Sequence, residues 1–463
     1  MLEVTSPYTG EHIGEVPTDG SDDIESALAQ ASLLVADRDR WLPLHQRIAI
    51  LERLADIMTD RQDELARQAA AEGGKPLTDS KVEAARAVDG VRLAIETIRS
   101  EAGEVIPLAG TAAGAGRVGF TTKEPIGVVV AVSAFNHPLN LIVHQVVPAV
   151  AAGCPVIVKP AEDTPLSCRS VVSMLREAGL PEDWCRFVMP RDLSLAEALV
   201  TDPRVNFFSF IGSAKVGWML RSKLAAGTRC ALEHGGAAPL IAAADADLDA
   251  AIPSILKGGF YHAGQVCVSV QRVYAHRSIA GELAGRLADG AQALETGDPL
   301  LETTEAGPLI RPREVDRVAE WVDEADRAGA TMLAGGERRD GNCYAPTVLA
   351  DPPEDVRVSR EEVFGPVVCV YAYDELDDAL ARANSLPYAF QAAVFTRNLE
   401  TAHRVYRRIS ASAVMVNDHT AFRVDGMPFA GLGVSGYGTG GIPHTIADMQ
   451  IEKMMVLRSG ELG

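Results

Sequence analysis

The spacing of hydrophobic and polar positions changes along the chain. The first hundred residues have the spacing of amphipathic helices, one starting at Ser21 and two long ones over 44–72 and 79–100. Residues 101–125 lose that spacing, and their glycines and alternating apolar positions indicate an extended hairpin or arm. Short apolar runs separated by helical segments begin at residue 126. This alternation predicts a parallel sheet covered by helices on both faces.

Two such alternating series follow each other. The first contains five apolar runs of strand length, at 126–132, 155–159, 185–189, 205–210 and 229–232. The second begins near 239–241 and ends at 413–416, with a long helix over 313–328. A glycine-rich tail then leads to an extended run over 452–457. The pattern predicts two α/β domains with extended arms.

Composition narrows the classes of function. The chain has 463 residues, too many for one ordinary core, and its 47% hydrophobic and 23% charged residues are typical of a globular protein. Forty-three basic against 63 acidic residues give a net charge of −20, which argues against nucleic acid or an anionic membrane as partner. No apolar run has the length of a membrane span, and the N-terminus lacks the features of a signal peptide.

The seven cysteines include one in a distinctive place. They form no C-x-x-C pair, which argues against a disulfide framework and against a metal cluster. The expected compartment is a reducing cytoplasm. Cys267 follows a glycine-containing loop and precedes an apolar run over 270–275. It is therefore a candidate nucleophile, the alternative being a buried structural thiol.

Other polar residues follow predicted strands directly. Glu233 comes after the run 229–232 and before two glycines, where it could act as a general base or make an ion pair. Asn136 could offer its amide to an oxyanion or cap the following helix. Gly212 and Ser213 open a helical stretch, so their backbone N–H groups could hold an anion or form an ordinary cap.

Taken together, these segments resemble the aldehyde dehydrogenase superfamily, in its NAD(P)-dependent, non-acylating form, from Ser6 to the C-terminus. Seven motifs in the family's order carry the resemblance: Phe135-Asn136-His137-Pro138, 158–162, 210–217, Glu233-His234-Gly235-Gly236, Gly264-Gln265-Val266-Cys267, 361–366 and 428–431. The resemblance implies a Rossmann-like NAD-binding domain, a second α/β catalytic domain and a small β-arm oligomerisation element. Their expected bounds are 1–105 with 125–232, 233–425, and 106–124 with 426–463.

The resemblance also implies a reaction. The Cys267 thiolate would attack the aldehyde, and the Asn136 amide with the Cys267 backbone N–H would hold the oxyanion. Hydride would leave the thiohemiacetal for a nicotinamide, and Glu233 would activate the water that releases the acid from the thioester. Transfer of the acyl group to coenzyme A is an alternative that the presence of Glu233 disfavours. A non-catalytic binding protein on the same fold is a second alternative.

For the cofactor, similarity to the family assigns six residues, which are Lys159 and Glu162 at the adenosine ribose, Gly212 and Ser213 at the pyrophosphate, and Glu362 and Phe364 on the nicotinamide side. A carboxylate such as Glu162 accepts hydrogen bonds from a ribose diol and repels a 2′-phosphate. NAD is therefore favoured over NADP, although Lys159 could partly compensate.

Two residues bear on the substrate, and the first is a departure from the family. His137 replaces an aromatic residue of the substrate tunnel, which predicts a more polar pocket, unless the histidine faces structure or solvent. Arg423 could clamp an anionic group of the substrate, or make a local salt bridge to Asp418 or Asp425. The predicted substrate is a small, polar or anionic aldehyde. The extended arms predict a homodimer or homotetramer, because an exposed strand edge needs a partner.

Overall fold

The structure is a computed structural model, and it describes residues 1–462. The α-helices are α1 (Ser21–Ala36), α2 (Leu44–Asp60), α3 (Gln62–Gly73), α4 (Leu77–Ser100), α5 (Asn140–Ala152), α6 (Pro165–Glu177), α7 (Leu193–Thr201), α8 (Ala214–Arg221), α9 (Leu248–Phe260), α10 (Arg277–Ala293), α11 (Pro312–Arg327), α12 (Arg357–Arg360), α13 (Leu376–Ala383), α14 (Leu399–Arg408) and α15 (Ile442–Asp448). The strands are β1 (Leu2–Thr5), β2 (His12–Val16), β3 (Val105–Ile106), β4 (Arg117–Pro125), β5 (Val128–Val132), β6 (Val156–Lys159), β7 (Cys185–Phe187), β8 (Val205–Ile211), β9 (Arg229–Glu233), β10 (Ala238–Ala242), β11 (Val270–His276), β12 (Thr331–Ala334), β13 (Thr347–Ala350), β14 (Val367–Tyr373), β15 (Tyr388–Ala389), β16 (Gln391–Phe395), β17 (Ala413–Val416), β18 (Leu432–Gly433), β19 (Gly436–Tyr437) and β20 (Gln450–Arg458).

The first large sheet has the strand order β19-β9-β8-β5-β6-β7, and its strands are parallel except for the edge strand β19. Successive residues of β5 point to opposite faces. Val129 and Ala131 belong to a core that includes α2 to α6, whereas Val128 and Val130 belong to a second core with α1 and α7. A sheet buried on both faces explains why its strands read as continuous apolar runs.

The second large sheet has the order β12-β13-β14-β11-β10-β16-β17, with only β12 antiparallel. It is also covered on both faces. Ile241 packs with α11 and α13 on one side, and its neighbours Leu240 and Ala242 pack with α9 and α10 on the other. The predicted α/β fold with two parallel-sheet domains is confirmed.

A third sheet stands apart from these cores. It has the order β20-β4-β3, and β20 pairs antiparallel with β4 along nine residues. Four consecutive apolar side chains of β20, those of Met454, Met455, Val456 and Leu457, are each about half exposed. Part of the tail that leads to β20 belongs elsewhere, since β19 joins the first sheet and α15 packs against α4 and α5. Of the predicted arm over 426–463, only β20 therefore belongs to this separate sheet.

The N-terminal region differs from the helical sequence prediction in two places. Before the first helix, β1 and β2 form an antiparallel pair. The predicted helix over 44–72 is two helices, because Arg61 has φ −105° and ψ 16°, outside the helical region. The break lets α2 and α3 each lay its apolar face on α4. Among the helices of residues 1–462, none combines the length and apolar composition that crossing a membrane requires.

Candidate active site

One cavity of about 620 Å³ lies where the two large sheets meet. Its walls come from the carboxyl ends of β5, β6, β8 and β9 and from the loops that precede β11 and β14. Carboxyl ends of parallel strands are the usual place for ligands in α/β folds. All eleven sequence-predicted site residues line this cavity, and these are Asn136, His137, Lys159, Glu162, Gly212, Ser213, Glu233, Cys267, Glu362, Phe364 and Arg423.

The loop that carries Cys267 has an unusual backbone. Three consecutive residues, His262, Ala263 and Gly264, have φ of 50°, 51° and 68°. A β-carbon on Gly264 would lie 2.2 Å from the carbonyl oxygen of Gly365, so only glycine fits there. Left-handed backbone at a histidine and an alanine is strained, and such strain persists where surrounding contacts hold it.

Gln265 supplies those contacts. Its side-chain Oε1 accepts a hydrogen bond from the backbone N–H of Ile310 at 3.0 Å, and its Nε2 donates to the carbonyl of Pro308 at 3.2 Å. On the other side of the cysteine, the Thr420 hydroxyl donates to the carbonyl of Val268 at 2.6 Å. The loop is therefore fixed on both sides of Cys267, which is itself half-buried.

Asn136 lies beside this loop. Its side chain is buried, and its Nδ2 donates to the carbonyl oxygen of Gln265 at 2.9 Å. An amide nitrogen carries two hydrogens, so one orients the side chain and the second is left for another acceptor. The geometry suits an oxyanion donor next to Cys267, and it differs from that of a helix cap.

Glu233 ends β9, and its carbonyl accepts a hydrogen bond from Gly212 N–H at 3.0 Å. Within residues 1–462 its carboxylate makes no hydrogen bond or ion pair. A β-carbon on Gly440 would lie 2.0 Å from the carboxylate, so glycine leaves the room that the carboxylate occupies. Burial raises the pKa of Glu233 to about 7, and the nearby Arg423 opposes the shift. A carboxyl group with such a pKa can exchange protons at neutral pH.

The thiol of Cys267 has acidic neighbours. Burial raises its pKa, the nearby Glu362 and Glu233 raise it further, and Arg423 opposes them. The cavity alone therefore keeps the thiol protonated at neutral pH. Formation of the nucleophilic thiolate needs a base within reach.

The other end of the cavity fits a dinucleotide. Glu362 accepts a hydrogen bond from Gly236 N–H at 3.0 Å, and burial raises its pKa to about 8. A β-carbon on Gly217 would lie 2.0 Å from the His234 ring, so the first turn of α8 lies unusually close to β9. The prediction for Gly212 is wrong in part, because its backbone N–H is bonded to the Glu233 carbonyl. The backbone N–H groups of this strand-to-helix turn that remain free for phosphate begin at Ser213.

Lys159 and Glu162 form the far end of the same cavity. Lys159 is buried, its Nζ donates to the carbonyl of Pro160 at 3.0 Å, and burial lowers its pKa. Glu162 is exposed and is thus free to accept hydrogen bonds from a ligand. The residues present fit a nicotinamide dinucleotide along the length of the cavity, and the contact that each one makes with it stays a prediction.

Arg423 does not form the predicted alternative salt bridge. Its guanidinium carbon lies 3.7 Å from the centre of the Phe429 ring, and its Nη1 is buried with no hydrogen-bond partner among residues 1–462. Asp425 is taken by other groups, and Asp418 accepts a hydrogen bond from the Ser254 hydroxyl at 3.3 Å. The predicted salt bridge of Arg423 to Asp418 or Asp425 is wrong. The segment around residue 423 directs the arginine into the cavity, whereas Asp425 does not line it.

Three cavity residues escaped the sequence analysis. Arg86, Asn140 and His144 all contact Asp425, with Arg86 Nη2 and His144 Nε2 each 2.7 Å from its Oδ1 and Asn140 Nδ2 at 3.2 Å. Burial alone would raise the pKa of Asp425, but the His144 hydrogen bond and Arg86 outweigh it and lower the pKa. Asn140 and His144 are four residues apart on α5 and so share one helix face. This spacing was the one sequence feature that could have indicated a shared partner.

Comparisons with known proteins agree with this geometry. The profile of the Aldehyde dehydrogenase family matches residues 1–455. A 3-sulfolactaldehyde dehydrogenase of Priestia aryabhattai is 38% identical over 457 residues, which cover 98% of this chain and 94% of that protein.

Two solved structures have the same fold. Aldehyde dehydrogenase 21 of Physcomitrella patens, in complex with the reaction product succinate, has a TM-score of 0.95 and 34% identity, covering 99% of this chain and 95% of that one. A glyceraldehyde-3-phosphate dehydrogenase of Methanocaldococcus jannaschii, complexed with NADP, has a TM-score of 0.94 and 31% identity, covering 99% of each chain. The chain belongs to the aldehyde dehydrogenase family and is an oxidoreductase that converts an aldehyde to its carboxylic acid.

Proposed function

We propose that this enzyme oxidises small anionic aldehydes with NAD, using Cys267 as nucleophile, Asn136 as oxyanion donor and Glu233 as general base. One observation carries the substrate class: a guanidinium nitrogen of Arg423 is buried in the catalytic cavity without a partner. A buried guanidinium nitrogen without a hydrogen-bond partner is costly, and an oxygen of an anionic substrate would remove that cost.

The first step is attack of the Cys267 sulfur on the aldehyde carbon. Because the cavity raises the pKa of the thiol, its proton must pass to a base, and Glu233 with a pKa of about 7 is suited to accept it. The new oxyanion is held by the free Nδ2 hydrogen of Asn136 and by the Cys267 backbone N–H. A donor of this kind, fixed in advance, contributes about 3 kcal/mol to the transition state.

When bound, a nicotinamide supplies the hydride acceptor, and oxidation of the thiohemiacetal leaves a thioester on Cys267. Glu233, with a pKa of about 7, releases the thiol proton to solvent before this stage. It then takes a proton from the water that attacks the thioester carbon. The sulfur leaves as the free thiolate and the product is the carboxylic acid. A base in this position supports hydrolysis over acyl transfer to coenzyme A, and the complete set of reactive groups in one cavity argues against a non-catalytic role.

Cations at the substrate end support the anionic class. Arg423 and Arg86 both line the cavity, but the charge of Arg86 is matched by Asp425. Arg423 is thus the cation available to a ligand, and its planar fork suits the two oxygens of an acidic group. Three related proteins are described with acidic compounds, namely a 3-sulfolactaldehyde dehydrogenase, a structure with succinate and a glyceraldehyde-3-phosphate dehydrogenase. Others are named for lactaldehyde and betaine aldehyde, so the substrate class rests on Arg423.

Replacing Arg423 with alanine tests the substrate class. We expect the ratio of kcat/KM for succinic semialdehyde to kcat/KM for butanal to fall about tenfold or more, because a hydrogen-bonded charge pair is lost. The measurement is initial-rate NADH formation with each aldehyde. Arg423→Lys is the matched variant, which keeps the charge, loses the fork and should fall between alanine and the parent. A ratio within about twofold of the parent for Arg423→Ala would remove the proposed clamp.

For the cofactor, we propose NAD because Glu162 stands free at the end of the cavity near Lys159. A carboxylate there accepts hydrogen bonds from the ribose diol and repels a 2′-phosphate. The family as a whole does not decide the cofactor, since a solved relative is complexed with NADP.

The Glu162→Gln variant tests this assignment. It removes the repulsion but retains a hydrogen-bond acceptor, so we expect the preference for NAD over NADP to fall by about fivefold, a size suited to an exposed charge. The preference is the ratio of kcat/KM values with the two cofactors at a fixed aldehyde concentration. Preference for NADP in the unmodified enzyme would contradict the assignment outright.

We also propose that the chain forms a homodimer or homotetramer in the cytoplasm. The apolar stripe on β20 is exposed along four residues in the single chain, and an exposed apolar strand is normally covered. A second copy of the same sheet is the simplest cover.

A further inference from the structure

A buried group of polar side chains lies behind His137, on the side away from the cavity. Lys75, between α3 and α4, is only 1% exposed. Its Nζ donates to Oε2 of Glu83 at 2.5 Å and also contacts Nδ1 of His137. The lysine therefore joins a carboxylate on α4 to a histidine that lines the cavity.

The partners of Glu83 settle the charge of this lysine. Oε1 of Glu83 accepts hydrogen bonds from the backbone N–H groups of Leu139 and Asn140, both at 2.9 Å, at the N-terminus of α5. Both oxygens of Glu83 thus accept hydrogen bonds from N–H donors, which is the bonding pattern of a carboxylate. A buried carboxylate needs a cation beside it. Burial lowers the pKa of Lys75, but Glu83 opposes that shift and keeps the ammonium paired.

The charge of the lysine in turn settles the proton on His137. An ammonium group has donors only, so Nδ1 of His137 must be the acceptor and carries no proton. A second proton on the ring is also disfavoured. Burial, followed by nearby Lys75, His262, Arg86 and Arg423, holds the pKa of His137 well below its usual range. The ring is therefore neutral, with its one proton on Nε2.

The position of the ring brings that proton to the substrate. His137 stacks on Tyr261, with ring centres 6.3 Å apart and planes 13° from parallel, and this fixes the ring plane. Its Nε2 has no hydrogen-bond partner among residues 1–462, and the side chain lines the same cavity as Arg423. We infer that Lys75 is a positioning residue that holds His137 in the Nε2–H tautomer, so that the cavity presents a neutral hydrogen-bond donor to the anionic group of the substrate.

The tautomer matters because the two forms have opposite effects on an anion. Nε2–H donates to a carboxylate, sulfonate or phosphate oxygen, whereas the other tautomer would turn a lone pair towards it. A neutral donor also adds recognition without adding a further buried cation beside Arg423. The substrate class in this inference rests on the proposed function, but the tautomer does not.

The tautomer can be observed directly. In enzyme labelled with ¹⁵N-histidine, the His137 signals are those that disappear in His137→Phe. We expect an unprotonated Nδ1 and a protonated Nε2 at pH 7. A proton on Nδ1, or on both nitrogens, would overturn the inference. This spectrum needs no substrate, so it decides the tautomer whether or not acidic aldehydes are oxidised.

A double-mutant cycle tests what the tautomer does. Lys75→Met should lower the ratio of kcat/KM for succinic semialdehyde to that for butanal by about tenfold, and it should have no further effect on this ratio in the His137→Phe background. Equal losses in both backgrounds would show that Lys75 acts without His137, and would overturn the proposed role. If Lys75→Met fails to fold, the ¹⁵N spectrum of the unmodified enzyme still shows which nitrogen of His137 carries the proton. Failure of the proposed function shows separately, as no oxidation of succinic semialdehyde by the parent.

Discussion

Replacing Cys267 with serine is expected to lower kcat for aldehyde oxidation by about 10⁴-fold or more. A serine hydroxyl has a higher pKa than a thiol in the same site and its oxygen is a weaker nucleophile than sulfur, so proton transfer to Glu233 and attack on the aldehyde are both less favourable. The side chains are similar in size, so the loop held by Gln265 and Thr420 should keep its geometry. The measurement is NADH formation at saturating aldehyde, and NAD binding by the same variant should stay close to that of the parent.

The matched control is Cys230→Ser. Cys230 is the other half-buried cysteine of the chain, it lies on β9 and it does not line the cavity. This variant should retain the activity of the parent. If Cys267→Ser oxidised aldehydes at a substantial rate while the control was normal, Cys267 would not be the nucleophile.

Glu233→Gln should separate the two halves of the reaction. The amide cannot take a proton from water, so we expect the steady-state rate to fall by about 10²- to 10⁴-fold. If oxidation then outpaces hydrolysis, a burst of NADH equal to the enzyme concentration should precede the slow phase. Mass spectrometry of the quenched enzyme should show the acyl group on Cys267. A variant that turns over at the parental rate, with no acyl-enzyme, would exclude Glu233 as the base.

The parent enzyme should show the same group in its pH profile. The base must be deprotonated to act, and burial raises the pKa of Glu233 to about 7. Its hydrolytic activity should therefore rise with pH through about 7 and level off above it. Glu361→Gln is a suitable control for Glu233→Gln, because Glu361 is exposed near the cavity and its carboxylate accepts a hydrogen bond from the Tyr388 hydroxyl.

The strands of the fold were predictable because their cause is local. A strand buried on both faces needs a continuous apolar run, and β5, which is buried along 128–131, lies within the predicted run over 126–132. The break at Arg61 was not predictable, since both flanking segments have helical spacing and only their packing on α4 separates them. The division of the tail between β19, α15 and β20 likewise depends on contacts with distant elements.

In the candidate site too, residues with a local sequence signal were predictable, and residues placed by distant contacts were not. Asn136 and Glu233 stand next to strand ends, and Cys267 stands on a glycine loop, so their places along the chain point to one cavity. The partners of His137 and Asp425 had no such signal. Lys75, Glu83 and Arg86 belong to the helical N-terminal region, and their charges match the polar face of any surface helix. Only the packing of α4 against α5 reveals that Lys75 and Glu83 are buried, and Arg86 half-buried, beside the proposed substrate end of the cavity.

The proposed nucleophile and the proposed base are carried by different sheets. Glu233 ends a strand of the first sheet, Cys267 precedes a strand of the second, and only four residues separate β9 from β10. Each sheet has its own hydrophobic cores, so the alignment of the two groups depends on how the sheets sit against each other. A displacement of about 1 Å can cost a catalyst about 10²-fold. A compound that binds between the two sheets at their outer edge, and shifts one against the other, would therefore inhibit the enzyme without contacting any reacting group.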